Sequence, residues 1–518
     1  MKLRSASSRE AKISAHFDSQ VEGESAGDGI SVISKALQNP LILDLILALL
    51  DESDLKKARL VCRYWAEIGG SLLGKRTSLN VNQFFRYDGS KLYQVTPVAQ
   101  NVMRHLSITE EFHPSIPSNK KASVITKIFT NLPHVSQFTR EIRFDADRWK
   151  LVTAFVNGLR KLNKSTTNIQ EISVSVWDLP RTIYPPFTKK LPIQANLTSI
   201  DFDVCDNDVL RSLLQILMES APNLTSLCVS STFFPNLEGC KHLKVVNFGI
   251  FRSAPSTVAN FDFAAAIGML AQVKDSLTEL EFRYSGGETG TPQSQNLDVP
   301  VMSKLTSLSI HPEGMYLIQD ILNEDHLPAL TKLVLNIYNA RKELNVASQL
   351  NLWKRHRGVK FLSLSLDSRS SLDVNTIGEQ IVRLFPSVRK FELILWLDRT
   401  NSIQEVNQMM APYQNWALEE ANVRGYRVKA ASVLVAILEN MANWKGAKSV
   451  HFFDARIMQD DFFSSINDLI LLSRGFKSVE IDDYEGVVPE EIQEIMRPIL
   501  DGSGAPIRVT GGVVRTPE

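Results

Sequence analysis

From about residue 101 onward the chain repeats one pattern, an apolar residue followed by apolar residues three and five positions later, with polar residues between them. The clearest copies are Leu197/Ile200/Phe202, Leu224/Leu227/Val229, Leu243/Val246/Phe248, Leu277/Leu280/Phe282, Leu305/Leu308/Ile310, Leu330/Leu333/Leu335, Val359/Leu362/Leu364 and Val388/Phe391/Leu393. Successive side chains of a strand point to opposite faces, so the last two members of each triplet share a buried face. Recurrence at a near-constant interval predicts stacked units, each a short strand, in place of one closed core. Ala447/Val450/Phe452 and Phe476/Val479/Ile481 fit the same register, and the double-length gap before them is filled at its midpoint by the weaker Leu418/Ala421/Val423. Met103/Leu106/Ile108, Thr139/Ile142/Phe144 and Ile169/Ile172/Val174 extend the series upstream. The array has about fourteen units with a mean period of about 29 residues.

Between triplets, apolar residues three or four apart predict helices over Asp208 to Ser220, Phe263 to Val273, Tyr316 to Leu322, Thr376 to Phe385, Ser432 to Ala442 and Phe462 to Leu472. Breakers sit just before the next strand, as in Ala221-Pro222-Asn223, Leu327-Pro328-Ala329, Phe385-Pro386-Ser387 and Arg474-Gly475, where a helix must stop and the chain turn. Polar stretches with Pro and Gly, Pro180 to Pro192 and Ser285 to Pro300, read as insertions.

Ahead of the array, residues 1 to about 30 hold few large apolar side chains and predict a flexible tail. Ser34 to about Leu73 is different. Leu43, Ile46, Leu47 and Leu50 form one helical stretch, and Leu55, Arg59 and Cys62, with Tyr64 and Trp65 on a following turn, form a second. Asp51-Glu52-Ser53-Asp54 supplies a turn in which Ser53 or Asp54 is placed to cap the helix from Leu55. So few apolar side chains make a poor independent core, so the segment is expected to complete its core on something else.

Charge and chemistry narrow the picture. With 57 Lys+Arg against 57 Asp+Glu the chain has no net field to draw in polyanions or a membrane surface, and nucleic acid is disfavoured as a partner. Leu41 to Leu50, the most apolar run, is broken by Asp44 and is half the length of about twenty residues that a bilayer span needs. The start lacks the long apolar stretch of a secretory signal, so a cytoplasmic or nuclear location is expected. Cys62, Cys205, Cys228 and Cys240 have no close CxxC spacing and read as free thiols, Cys62 as a buried one. Phosphate-cradling glycine motifs, HExxH and GxSxG are absent, so no catalytic site, cofactor or metal is expected. Lys354-Arg355-His356-Arg357 is a short basic cluster near the end of a predicted helix.

The repeat resembles the leucine-rich class, whose fold is an α/β horseshoe with parallel strands inside and helices outside. Leu37-Gln38-Asn39-Pro40-Leu41-Ile42-Leu43-Asp44-Leu45-Ile46-Leu47-Ala48-Leu49-Leu50, followed by Ser53-Asp54-Leu55 and the ending Leu60-Val61-Cys62-Arg63-Tyr64-Trp65, resembles an F-box. That resemblance implies a bundle of short helices that docks on a Skp-type linker and, through it, a cullin-based ubiquitin ligase. It puts Pro40, Ile42, Leu43, Ile46, Leu50, Leu55, Val61 and Trp65 at positions that pack within the module or against the linker. The sequence departs from the family at Gln38-Asn39, which stands for the usual Leu-Pro, and at Leu41, which replaces an acid.

In such a horseshoe the residues between the buried strand positions line the concave face, the default binding surface. Here they include Glu171, Ser173, Asp201, Asp203, Glu279, Glu281, Arg283, Lys332, Phe361, Lys390, Glu392, Arg424, His451 and Phe453. Glu171, Asp201 and Asp203 make an acidic patch that suits a basic segment, although charge on a solvated strand face is ordinary. Phe361 and Phe453 are large aromatics placed toward solvent, where interfaces concentrate them, and a one-residue register slip would turn either inward. Glu281 and Arg283 complete the candidate set for a target.

The sequence therefore predicts a tail over 1–33, an F-box-like module over 34–75, a connector over 76–100, a leucine-rich-repeat array over 101–484 and a cap with a tail over 485–518. The expected function is that of a substrate-recognition adaptor in an SCF-type ubiquitin ligase, binding a linker at one end and a protein substrate on the repeats. A repeat scaffold whose helical module only caps the array is the other reading.

Overall fold

The computed structural model describes residues 37–80, 85–87, 92–94, 104–109, 116–131, 139–162, 168–177, 179, 184–204, 209–251, 262–285, 298–311, 321–337, 346–367, 373–397, 402–455, 457, 459–483, 498–500 and 502–511. The chain divides into two units, Met1–Leu79 with Val98–Arg104, and Asn80–Pro97 with His105–Glu518.

Among its described residues the first unit holds the helices α1 (Pro40–Ala48), α2 (Glu52–Ala58) and α3 (Arg63–Arg76), followed by the short strand β1 (Ser78–Asn80) at the boundary between the units. Asn39 caps α1, its side chain accepting from the amides of Leu41 and Ile42, and Pro40 takes the first helical position, where its missing N–H costs nothing. The cap of α2 is Asp51, whose carboxylate accepts from Asp54 N at 2.7 Å, and not Ser53 or Asp54 as expected from sequence; both lie inside the first turn. The expected second stretch is two helices. Extended backbone at Cys62 (φ −159°) breaks it, and the Cys62 thiol caps α3 from Trp65 N at 3.5 Å. Cys62 is accordingly exposed, a correction to the buried thiol read from its apolar neighbours.

Leu43, Leu47, Leu55, Ala58, Leu72 and Leu73 form the core of this unit, with Leu50, Tyr64, Trp65 and Ile68 packed on its margin. Tyr64 donates to the Gln38 carbonyl at 2.9 Å, and the Arg76 guanidinium donates to the carbonyls of Ala48 and Leu50, tying the last turn of α3 to the end of α1. A Cβ on Gly69 would lie 2.8 Å from Arg59 Cγ, so glycine is what lets the arginine stem cross α3.

The second unit is a solenoid-like repeat of strands and helices. A two-stranded antiparallel hairpin, β2 (Phe85–Tyr87) with β3 (Leu92–Gln94), precedes the array. The large sheet has sixteen strands, all parallel and in the order of the chain. Its members from β4 on are β4 (His105–Ile108), β5 (Glu141–Ala146), β6 (Glu171–Val176), β7 (Ser199–Val204), β8 (Ser226–Ser230), β9 (Val245–Phe251), β10 (Glu279–Ser285), β11 (Ser307–Ile310), β12 (Lys332–Asn336), β13 (Phe361–Asp367), β14 (Lys390–Trp396), β15 (Glu420–Tyr426), β16 (Ala447–Phe453), β17 (Ser478–Asp483) and β18 (Ile507–Gly511). The last lies in the segment expected to be a cap and adds a further rung beside β17.

From β4 to β15 the second members of the triplets are direct partners: Leu106, Ile142, Ile172, Ile200, Leu227, Val246, Leu280, Leu308, Leu333, Leu362, Phe391 and Ala421 form one buried row. The register then shifts. Val450 pairs with Val423 and not with Ala421, so the copy at β16 is displaced by two residues from the expected alignment. A shift of two keeps every side chain on its face, which is why the hydrophobic pattern does not reveal it. Gly425 makes room for it, since a Cβ there would lie 2.8 Å from the Phe452 ring. Ala447, expected at the first core position of this unit, is exposed, and the buried Trp444 fills that layer.

Helices lie between the strands: α4 (Ser118–Asn131), α5 (Trp149–Lys161), α6 (Val209–Ser220), α7 (Phe263–Ala271), α8 (Val346–Leu352), α9 (Val374–Leu384), α10 (Ile403–Met410), α11 (Ala431–Ala442) and α12 (Gln459–Ser473). Five of the six expected helices are found; the sixth, Tyr316 to Leu322, falls largely outside the described residues. Between sheet and helices the core is continuous. Phe155 of α5 stacks on Phe144 of β5 at 4.2 Å, and Phe391 of β14 sits among Tyr413, Trp416 and Trp444.

A row of threonines stitches neighbouring units. In the repeated Leu-Thr pair that opens several triplets, the hydroxyls of Thr198, Thr225, Thr278, Thr306 and Thr331 each donate to a carbonyl of the preceding unit at 3.1–3.3 Å. Of the expected insertions, the first meets the helices at two aromatics: Tyr184 and Phe187 lie on Trp149 at 4.5 and 5.0 Å, and Phe187 N donates to Ser212. Residues 286–297 of the second insertion lie outside the described residues.

Candidate functional site

α1 is apolar on both sides, and only one side is used. Leu43 and Leu47 point into the core of the first unit, while Leu41, Leu45 and Leu49, four residues apart, are 75, 69 and 87% exposed. Ile42 and Ile46 flank this stripe, more than one-third exposed, and Leu60 (85%) and Val61 are exposed in the link between α2 and α3. Residues four apart on a helix lie above one another, so the three leucines form one ridge. Water gains nothing from such a surface, and apolar patches of this kind mark contact sites.

The eight residues that the sequence singled out here separate into two roles. Leu43 and Leu55 are wholly buried, and Leu50 and Trp65 lie half-buried on the core margin; all four hold the helices together. Pro40, Ile42, Ile46 and Val61 are exposed and open to a partner. Leu41, Leu45, Leu49 and Leu60 were missed, although the spacing of the first three was readable in the sequence.

On the sheet face turned away from the core, the strand register assembles two further groups. In the first, Glu171, Ser173, Asp201 and Asp203 lie on β6 and β7, with Glu171 opposite Glu141 and Ser173 opposite Asp201. The Ser173 hydroxyl donates to Asp201 Oδ2 at 3.2 Å. Burial and the neighbouring carboxylates Glu141 and Asp201 push Glu171 above the usual carboxylate range, and burial with Asp201 does the same to Asp203. Glu141 itself is held low by Arg143 and His105, against the opposing effect of its burial, with His105 Nδ1 2.7 Å from its carboxylate. Cys228 pairs with Asp201 across β7 and β8, and burial raises its thiol to about 12, which favours the protonated form.

Glu281 and Arg283, expected to face a target, are paired with each other at 2.7 Å. His311 and Arg283 together hold the Glu281 carboxyl down at about 2. Glu279 is exposed beside them.

The second group lies on β13 to β17. Phe361 is half-buried with Lys332 Nζ 5.6 Å above its ring. Lys390 pairs with Glu420 at 2.9 Å, Arg424 with Glu392 at 2.9 Å, and Ser363 donates to Glu392. Beyond them Trp396, Tyr426 and Phe453 occupy one row across three neighbouring strands. The rings stack nearly parallel, Trp396 on Tyr426 at 4.4 Å and Tyr426 on Phe453 at 4.9 Å, all half-buried. His451 lies against Phe453 with ring centroids 3.6 Å apart and contacts Asp482 Oδ2 through Nε2 at 2.6 Å.

The basic cluster Lys354 to Arg357 lies beyond α8, which ends at Leu352, and His356 within it is buried while the other three are exposed. Among the described residues no group of three His, Cys, Asp or Glu side chains is placed to hold a metal ion, and no helix is long and apolar enough to cross a membrane. An apolar cavity of about 20 Å³ between α7, β10 and β11, lined by Ala266, Leu270, Phe282 and Leu308 among others, has room for little more than a methyl group. No family model matches the sequence, and no curated protein does.

Proposed function

We propose that this chain is a substrate-recognition adaptor of an SCF-type ubiquitin ligase, in which the F-box-like helices bind a Skp-type linker and the repeat sheet binds the protein to be modified. The observation that carries the reading is the uncovered ridge Leu41/Leu45/Leu49, with Leu60 and Val61, on a unit whose core is already filled by Leu43, Leu47 and Leu55. Covering one leucine gives about 1.5–3 kcal/mol. A ridge of three therefore offsets much of the cost of association. Catalysis is not needed for this role: the adaptor raises the effective concentration of a target near a ligase. The paired and stacked residues on the sheet face, with their mixed charge, suit a protein surface as partner. The array would then be the horseshoe of a leucine-rich-repeat protein.

Co-expression of the full chain with a Skp-type linker tests this. The linker co-purifies with the wild type and is lost with Leu45→Asp, while the variant unfolds at the wild-type temperature. Equal recovery of the linker with both proteins, or with neither, overturns the reading and leaves a repeat scaffold.

A further inference from the structure

The row Trp396–Tyr426–Phe453 combines three features. Because the rings stack face to face along the row, what they leave to a partner is their edges. Aromatic edges carry the positive end of the ring quadrupole and attract anionic groups. Next, the non-glycine residues with left-handed backbone among those described are Arg427 (φ 63°) and Asp454 (φ 52°), and each directly follows a member of the row, Tyr426 and Phe453. Backbone in this region is tolerated by an aspartate but costly for an arginine, and such cost tends to be kept where a side chain has to be aimed. Third, two cations near the row are uncommitted among the described residues. Arg424 is bound to Glu392 and His451 to Asp482, whereas the exposed Arg427 and the half-buried Lys429 have no side-chain partner among the described residues.

The geometry points to this row, with Arg427, as the docking point for an acidic segment of a protein partner, one in which Asp or Glu side chains alternate with an apolar or aromatic residue. The carboxylates meet Arg427 and the ring edges, and the apolar residue packs along the row. The inference deepens the target-binding half of the proposed function and rests on that half alone. Cross-strand aromatic pairs also stabilise a sheet, so the test has to separate binding from folding.

The test is fluorescence polarisation of the full chain with a labelled pool of synthetic peptides of Asp, Glu, Leu and Phe, against a matched pool with Lys in place of the acids. Arg427→Asn removes the charge but keeps a residue that tolerates left-handed backbone. The wild type is expected to bind the acidic pool in preference to the Lys pool, and Arg427→Asn to bind it about tenfold more weakly, the loss of one charge-assisted hydrogen bond, with unchanged thermal unfolding. Lys190→Ala, an exposed lysine on another part of the chain, is expected to bind as the wild type does. Equal binding of the two pools, or undiminished binding by Arg427→Asn, overturns the inference. Linker co-purification run on the same proteins is independent: Arg427-dependent peptide binding without linker capture refutes the ligase reading and supports this docking point.

Discussion

The His356 imidazole donates from Nε2 to the carbonyl of Leu327, 3.1 Å away and one repeat earlier, while its own backbone amide donates to Leu384 O in the repeat that follows. One buried residue, through its ring and its backbone amide, thus ties three units together. Burial holds its pKa below 6.5, against the smaller upward pull of the Leu327 carbonyl and Glu324, and Nδ1 has no acceptor to take a second proton. A histidine whose folded pKa is depressed binds more protons unfolded than folded, so stability rises with pH. Its contribution is complete above 6.5 and declines as pH falls through the window beneath that value. Urea unfolding at pH 7.5 and 5.0 is expected to show a loss that is smaller in His356→Gln by about 1 kcal/mol. An equal loss in both proteins would remove the histidine from the account.

The acidic group on β6 and β7 has the opposite sign. Glu171 and Asp203 are raised above the usual carboxylate range, so folding there is opposed by charge at neutral pH and relieved as the acids protonate. Asp201→Asn removes the charge common to both. It is expected to raise stability at pH 7, by no more than about 0.5 kcal/mol given the solvent screening of these half-exposed groups. A gain that persists unchanged at pH 4 would show that charge is not its source.

Gly158 of α5 lies against Phe129 of α4, with an added Cβ only 2.2 Å from the Phe129 ring. Phe129 is fully buried and meets Phe155 edge to face at 5.5 Å, so it has no way to give. Gly158→Ala is expected to destabilise by about 1–3 kcal/mol through overpacking despite the better helix propensity of alanine. A stability gain in chemical denaturation would mean that the two helices separate readily.

Thr306 donates to the Thr278 carbonyl at 3.1 Å as one rung of the threonine row. The carbonyl keeps the Thr306 and Ser307 amides as partners. Thr306→Val is therefore expected to cost only about 0.5–1.5 kcal/mol, the net worth of one hydrogen bond. A loss well above that in thermal unfolding would show that the row acts cooperatively.

The strand array was legible because its buried rows consist of Leu, Ile, Val and Phe at fixed offsets, and even the weak copy Leu418/Ala421/Val423 marked a strand, Glu420–Tyr426. The helices α4, α5 and α10 escaped, and α8 was signalled only as the helix ahead of the basic cluster at Lys354: α4 begins Ser-Asn-Lys-Lys and α8 has seven residues, too few for an apolar period to stand out. The aromatic row escaped for a different reason. Trp396 and Tyr426 each stand five residues after the second member of their triplets, Phe391 and Ala421, whereas Phe453 stands three after Val450. Only the two-residue shift at β16 brings them level, and a period of two cannot register it. At α1, positions inherited from a motif mixed the residues that build the core with those left outside it. Burial separates the two.

The most direct test of the uncovered ridge is hydrogen exchange of the full chain with and without a purified Skp-type linker. The account predicts slower exchange on α1 and on the Leu60–Val61 link when linker is added, abolished by Leu45→Asp. Unchanged exchange across residues 40–61, or protection confined to the repeats, would contradict it.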